Sequence, residues 1–347
     1  MIEDAIRDFN ESVSALRKHL EYTSTIKKIF SQSKRKSSKN IIKQSTDEKI
    51  FEYKTIIISL YGTYEHCIES MIQEYIRTLS SIVDSFDGYP EHIKKYYIDC
   101  WKTTHTHLEN GHSKYSHLDE EEMVENLYET IKKRKNVLLP ECYVPIGGNY
   151  RHKVVKDTMS KLGLNGIFDN IKKYSPLANR FLMEGKNDSD SSIIYSIIDD
   201  LVDRRNEIAH GGTIDNIISE DEFKNILDFV SNYIESIGSF LQDNLVKIEW
   251  EFKNNIPLFS SENIFDKQSV VTLRINGITI KKGDTCIIST QNYPQYQKRK
   301  ILDLHIETVD EKGEEKEIVD STMAEQIISI KVDKPIKGKY KFIPSAV

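Results

Sequence analysis

What this 347-residue chain lacks narrows its chemistry first. Four cysteines, Cys67, Cys100, Cys142 and Cys286, lie far apart and form no Cys-x-x-Cys pair. That argues against a zinc cluster and against a disulfide framework, and it points to a reducing cytoplasm. No apolar run approaches the roughly 20 residues that a membrane helix needs. Residues 1–8 contain acidic side chains and no apolar core, so a secretory signal is not expected. The net charge of −6 gives no overall basic field with which to coat nucleic acid, although a local cleft is still allowed. Neither His-Glu-x-x-His nor Gly-x-Ser-x-Gly occurs. Gly147-Gly148-Asn149 is too short for a phosphate loop, and no Gly-Lys-Ser/Thr follows it. No metal and no cofactor is expected. His105, His107, His112 and His117 fall in a polar stretch, 103–118, and are expected as exposed loop residues rather than ligands.

What is present is the composition of a soluble globular protein, 38% hydrophobic and 29% charged. The first 245 residues carry apolar positions at helical spacing. Ile2, Ile6, Phe9, Val13, Leu16 and Leu20 mark one helix over 2–31. Ile50, Ile57, Leu60, Tyr64, Ile68, Met71 and Tyr75 mark a longer one over 47–83. Shorter helices are expected over 91–102, 119–134, 154–162 and 191–210, and a compact loop over 164–190. Ser219 followed by Glu220, Asp221 and Glu222 predicts a capped helix start. Between the first two helices, Lys27-Lys28, Lys34-Arg35-Lys36, Lys39 and Lys43 form a basic run interleaved with serine. It reads either as a solvated connector or as a phosphate-backbone contact made by Lys34, Arg35 and Lys36.

Past Trp250 the character changes. Residues 270–343 alternate β-branched and polar side chains, with Gly277, Gly283, Gly313 and Gly338 as turns. The fold class is therefore α+β with two domains: an all-α helical bundle over 1–248, then a small antiparallel β barrel or sandwich over 249–347. Tyr293, Tyr296, Lys298, Arg299 and Lys300 form an aromatic–basic cluster there, suited to single-stranded RNA or to a plain exposed loop.

The most informative segment is Asp203-Arg204-Arg205-Asn206-Glu207-Ile208-Ala209-His210-Gly211-Gly212. It reads as a helix end stopped by glycine. Ile194, Ile198, Leu201, Arg205 and Ile208 follow steps of four, three, four and three, which is one helical stripe. Arg205 thus stands where an apolar residue is expected. A guanidinium cannot shed its charge, so it needs a carboxylate or a phosphate. His210 moves a proton near neutral pH. A cation and an imidazole held together are what metal-free RNA cleavage requires. Arginine and histidine are also ordinary C-terminal caps, and spacing alone leaves Arg204 as a second candidate for the phosphate.

Arg205-Asn206-Glu207-Ile208-Ala209-His210 resembles the arginine–histidine signature of HEPN-domain proteins. Tyr61-Gly62-Thr63-Tyr64-Glu65 is similar to the early HEPN helix with its Tyr-Gly and glutamate. Asn149, with the helix ending in Leu162-Gly163-Leu164, is similar to the MAE/RiboL-PSP type. The resemblance covers about residues 1–245. It implies a helical bundle that pairs as a homodimer and cleaves RNA without metal. Two copies of the motif would face each other, with a toxin or antiphage-defence role and an antitoxin or defence partner. It further implies His210 as general acid or base, Arg205 on the scissile phosphate, Asn206 as an orienting group and Glu65 pairing with Arg205 or His210. A non-catalytic HEPN scaffold or nucleotide-binding module is the alternative.

Overall fold

The computed structural model describes residues 1–32, 45–145, 147, 149–185, 195–212, 216–252, 259–265, 269–290, 294–306, 314–322, 325–335 and 340–345. The chain divides into two compact units, Met1–Gly238 and Ser239–Val347. No described helix is long and apolar enough to cross a membrane. Lys34, Arg35 and Lys36 of the basic run lie outside the described residues, as does Tyr293.

The first unit is helical. Its elements are α1 (Ile2–Gln32), α2 (Ser45–Ile82), α3 (Glu91–Glu109), α4 (Glu120–Ile131), α5 (His152–Lys161), α6 (Ile167–Ile171), α7 (Leu177–Glu184), α8 (Ser196–Ala209) and the start of α9 (Glu220–Phe252). The unit boundary falls within α9. The central element is α2: Ile56, Ile57, Leu60, Tyr64, Ile68, Met71, Ile72 and Tyr75 are all buried. An aromatic cluster joins it to its neighbours. The ring centroids of Phe168 and Tyr195 lie 4.6 Å apart, those of Tyr195 and Tyr233 5.6 Å, and those of Tyr64 and Tyr233 6.3 Å. Such tilted pairs add to the area they bury.

Two expectations need correction. The stretch 103–118 is not all loop, because α3 runs to Glu109 and carries His105 and His107. Trp101 and Thr104 on the inner face hold that extension, and the His105 ring stacks on Trp101 at 4.9 Å. Similarly, 164–190 contains α6 and α7, whose Ile167, Phe168, Ile171, Leu177 and Phe181 are buried. At five and eight residues, these helices are shorter than the window of about 11–18 residues over which a helical apolar stripe can be read.

The start of α9 follows its sequence signal. The Ser219 hydroxyl accepts from the Glu222 amide at 3.2 Å, and the Glu222 carboxylate accepts from the Ser219 amide at 2.7 Å. This reciprocal pair is a capping box. Ser219→Ala is expected to lower stability by about 1 kcal/mol in chemical denaturation, the usual cost of a lost N-cap.

The second unit is antiparallel. Strands β1 (Phe259–Phe265), β2 (Val270–Ile275), β4 (Thr285–Thr290), β5 (Tyr296–Ile306), β6 (Glu314–Glu315), β8 (Gln326–Val332) and β9 (Tyr340–Ser345) form one sheet, and β3 (Thr279–Lys281) pairs with β7 (Ile318–Asp320) in a second. Strand β5 pairs with β4 through residues 296–300 and with β8 through residues 301–306. Strand β1 likewise pairs with β9 at one end and β2 at the other. Register shifts occur in β1 and near Ile301 of β5. The result is a sandwich-like pair of leaves whose corners are strands that bend from one to the other. Leu273, Ile275, Ile288, Ile301, Leu304, Ile328 and Ile330 fill its core.

Candidate RNA-cleaving site

The end of α8 is built by local backbone chemistry. Gly211 takes φ 73° and its amide bonds Ile208 O at 3.2 Å, while the Gly212 amide bonds Glu207 O at 2.9 Å. This is a Schellman closure, in which glycine supplies the left-handed residue. The closure fixes where the helix stops, and it leaves His210 at the C-cap, exposed.

Arg205 follows the predicted stripe. Ile198 and Leu201 are fully buried, and Arg205 and Ile208 are half-buried below them. The Arg205 guanidinium lies over the Tyr61 ring of α2, 4.8 Å from its centroid, and Nη1 donates to Asn206 Oδ1 at 2.9 Å. It makes no ion pair among the described residues. Arg204 differs sharply. Its Nε donates to Asp200 at 2.7 Å, and its Nη1 donates to the Tyr53 hydroxyl at 3.1 Å and to Asn216 O at 3.4 Å. Those contacts tie Arg204 to the fold, whereas Arg205 has no carboxylate partner among the described residues.

Asp199, Asp203, Asn206 and His210 form a ridge beside that stripe, at steps of four, three and four. The first half of the ridge is occupied by the start of α5. Arg151 donates twice to the Asp203 carboxylate, once at 3.0 Å from Nη1. The His152 ring meets Asp199 at 2.5 Å, and its amide donates to the same carboxylate at 3.0 Å. Arg151 holds the Asp203 carboxyl below the usual range. These pairs clamp α5 onto α8. They join residues about 50 positions apart in the chain, so local spacing could not show them. The second half of the ridge, Asn206 and His210, is left open.

Glu65 lies one helical turn beyond Tyr61 on α2, half-buried. It accepts no hydrogen bond among the described residues. Burial raises its carboxyl above the ordinary value and the charge of Glu69 adds to that, while Arg205 and Lys114 pull the other way. Glu65 therefore senses Arg205 without pairing with it. His210 touches neither. By contrast, Glu69 is engaged: Lys114 Nζ donates to it, and so does the Tyr150 hydroxyl at 2.6 Å. The Tyr150 amide in turn donates to the Tyr61 hydroxyl at 3.2 Å.

The raised carboxyl has a measurable consequence. The folded state holds the Glu65 proton more tightly than the unfolded chain does. Stability is therefore lost as pH rises from the ordinary glutamate range through the folded value. Glu65→Gln is expected to raise the melting temperature relative to wild type at pH 7 and not at pH 4. An equal shift at both pH values contradicts this reading of the site.

Elsewhere, His105 sits 3.6 Å from Glu109 and 3.2 Å from Glu120 across its two ring nitrogens. These three are the one group among the described residues that could gather around a metal ion. One ligand atom from each of the three lies within 4.8 Å of the others, and the imidazole stands between the two carboxylates. In the second unit, the Tyr296 ring packs tilted against Trp250, centroids 5.1 Å apart, and Lys298 pairs with Glu249. Tyr296 and Lys298 of the five-residue aromatic–basic cluster are thus engaged within their own unit.

The family model described as RiboL-PSP-HEPN matches residues 3–243, which spans all of the helices just described as far as the middle of α9. Comparison with curated proteins finds no match.

Proposed function

Because the chain belongs to the RiboL-PSP-HEPN family, we propose that it is a metal-independent endoribonuclease acting as a homodimer. The observation that carries this reading is Arg205. It is a half-buried guanidinium braced by Tyr61 and Asn206, with no carboxylate bound to it among the described residues. A cation in that position is supplied with a counter-charge by a phosphodiester.

In the proposed reaction the ribose 2′-oxygen attacks the adjacent phosphorus, and its proton passes to one His210 imidazole. The P–O5′ bond breaks, and the leaving oxygen takes a proton from the imidazole of the second copy. The products are a 2′,3′-cyclic phosphate and a 5′-hydroxyl, and solvent exchange resets both histidines. Arg205 offsets charge on the phosphoryl oxygens, and Asn206 holds the guanidinium plane. A second copy supplies the second imidazole, because the exposed His210 meets no proton-transfer partner among the described residues of its own chain. A toxin or defence effector, restrained by a partner protein, is the biological role that suits such an activity. The rival reading, a non-catalytic HEPN scaffold or nucleotide-binding module, needs neither the free guanidinium nor the exposed imidazole.

The test is incubation of the purified protein with total cellular RNA in EDTA, with light scattering on the same sample. Cleavage by a dimer is expected. Intact RNA, or a monomer at micromolar concentration that cleaves as fast, contradicts the proposal.

A further inference from the structure

Two glycines lie inside long helices of the first unit, and they contrast. Gly238 explains itself: a Cβ there would stand 2.3 Å from Ile6 Cδ1, so α1 crosses where only glycine fits easily. Gly62, in the middle of α2, has nothing within 4 Å of the place a Cβ would occupy. Glycine in a helix interior lowers helix stability relative to alanine. No packing within the described chain accounts for it at Gly62. Its bare surface instead floors an open concavity of about 370 Å³, lined also by Glu65, His66, Glu69, His112 and Lys114. Its side chains are two carboxylates, two imidazoles and one ammonium, so every side chain that lines it carries a hydrogen-bonding group, although polar and apolar surface are about balanced. The volume falls in the range of small-ligand sites and admits one nucleoside.

The charges decide which part of a nucleotide enters. A phosphate would meet Glu65 and Glu69. A base edge that offers donors would not be repelled. Glu69 is already taken by Lys114 and Tyr150, which leaves the Glu65 carboxylate as the open acceptor. Guanine presents two adjacent donors, N1–H and the N2 amino group, that match a carboxylate. Uracil presents one N–H between two carbonyl oxygens, which a carboxylate repels. His66 and His112 line the concavity and are exposed, and an imidazole ring such as that of His66 can stack on a base. Glu65 also lies within electrostatic reach of Arg205, so a base held there would carry its own phosphate toward the guanidinium.

We propose that the concavity over Gly62 is a base subsite that selects guanine in single-stranded RNA through the Glu65 carboxylate. This rests on the ribonuclease reading for its place in the reaction, and it is tested apart from cleavage. Binding of guanosine 3′-monophosphate and uridine 3′-monophosphate to the full-length protein is measured by calorimetry. Wild type, Gly62→Val and Glu65→Gln are compared, with circular dichroism and light scattering on each. Wild type is expected to bind the guanosine nucleotide at least tenfold more tightly. Gly62→Val should lose at least tenfold of that affinity with fold and assembly unchanged. Glu65→Gln should bring the guanosine-to-uridine ratio near one. Equal affinities in wild type overturn the proposal. So does a Gly62→Val protein that binds guanosine nucleotide normally, or one that changes oligomeric state instead, which would make this face a contact between copies. RNA cut without base preference removes the subsite and leaves the nuclease. Guanosine-selective binding without any cleavage keeps the subsite and removes the nuclease.

Discussion

His210→Ala should lower the RNA cleavage rate by about 10²–10⁴-fold, the usual contribution of a positioned acid–base group, while the melting temperature stays close to that of wild type. Both halves of that expectation come from position. His210 is exposed at the C-cap, and the helix end is closed by Gly211 and Gly212 rather than by the imidazole. Removing an exposed ring that makes no side-chain hydrogen bond to a described residue sits in the range of surface substitutions, within about 0.5 kcal/mol. A variant that unfolds would mean that the ring is a structural cap. A variant that folds and cleaves at the wild-type rate would remove His210 from the chemistry.

Arg205→Ala should cost about 10²–10³-fold in cleavage, the scale seen when one charge-stabilising donor is removed from an active site. Its effect on stability should be small. The guanidinium contributes one cation–π contact with Tyr61, worth about 0.5–1 kcal/mol, and one hydrogen bond with its own neighbour. Arg205→Lys keeps the charge but not the planar fork, so it should recover only part of the rate. Arg204→Ala is expected to do the reverse. Arg204 bonds Asp200, Tyr53 and Asn216, and losing those charge-assisted bonds costs about 1–3 kcal/mol. Steady-state cleavage and chemical denaturation on the three variants separate the roles. If Arg204→Ala were the one with intact stability and no activity, the assignment of the two arginines would be inverted.

The parts of this molecule that are legible in its sequence are those written in neighbouring residues. The Ser219–Glu222 capping box, the glycine stop after His210 and the placement of Arg205 on an apolar stripe are all short-range signals. Each corresponds to a bond or a burial in the structure. The switch near Trp250 to alternating β-branched residues likewise marks the strands of the sandwich. What was not legible depends on partners far away in the chain. The Arg151–Asp203 and His152–Asp199 pairs, and the Lys114–Glu69–Tyr150 group, join segments separated by tens of residues. No local pattern announces them, yet they decide which face of α8 stays open and which carboxylate stays unengaged. Glu65 shows the same limit. The expectation paired it with Arg205 or His210, whereas the structure leaves it near Arg205 and unbonded among the described residues. Arg204 is the complementary case. Sequence spacing left it as a candidate for phosphate, and its contacts across α2 and the stretch before α9 tie it down.

The chemistry of the new RNA ends tests the central claim most directly. A defined single-stranded RNA is incubated with the wild-type protein in EDTA, and the termini of the fragments are identified by mass. Attack by the 2′-hydroxyl predicts 2′,3′-cyclic phosphates and 5′-hydroxyls, absent when His210→Ala protein is used. Fragments ending in 3′-hydroxyls and 5′-phosphates, or cleavage that needs an added divalent ion, would contradict an arginine–histidine site.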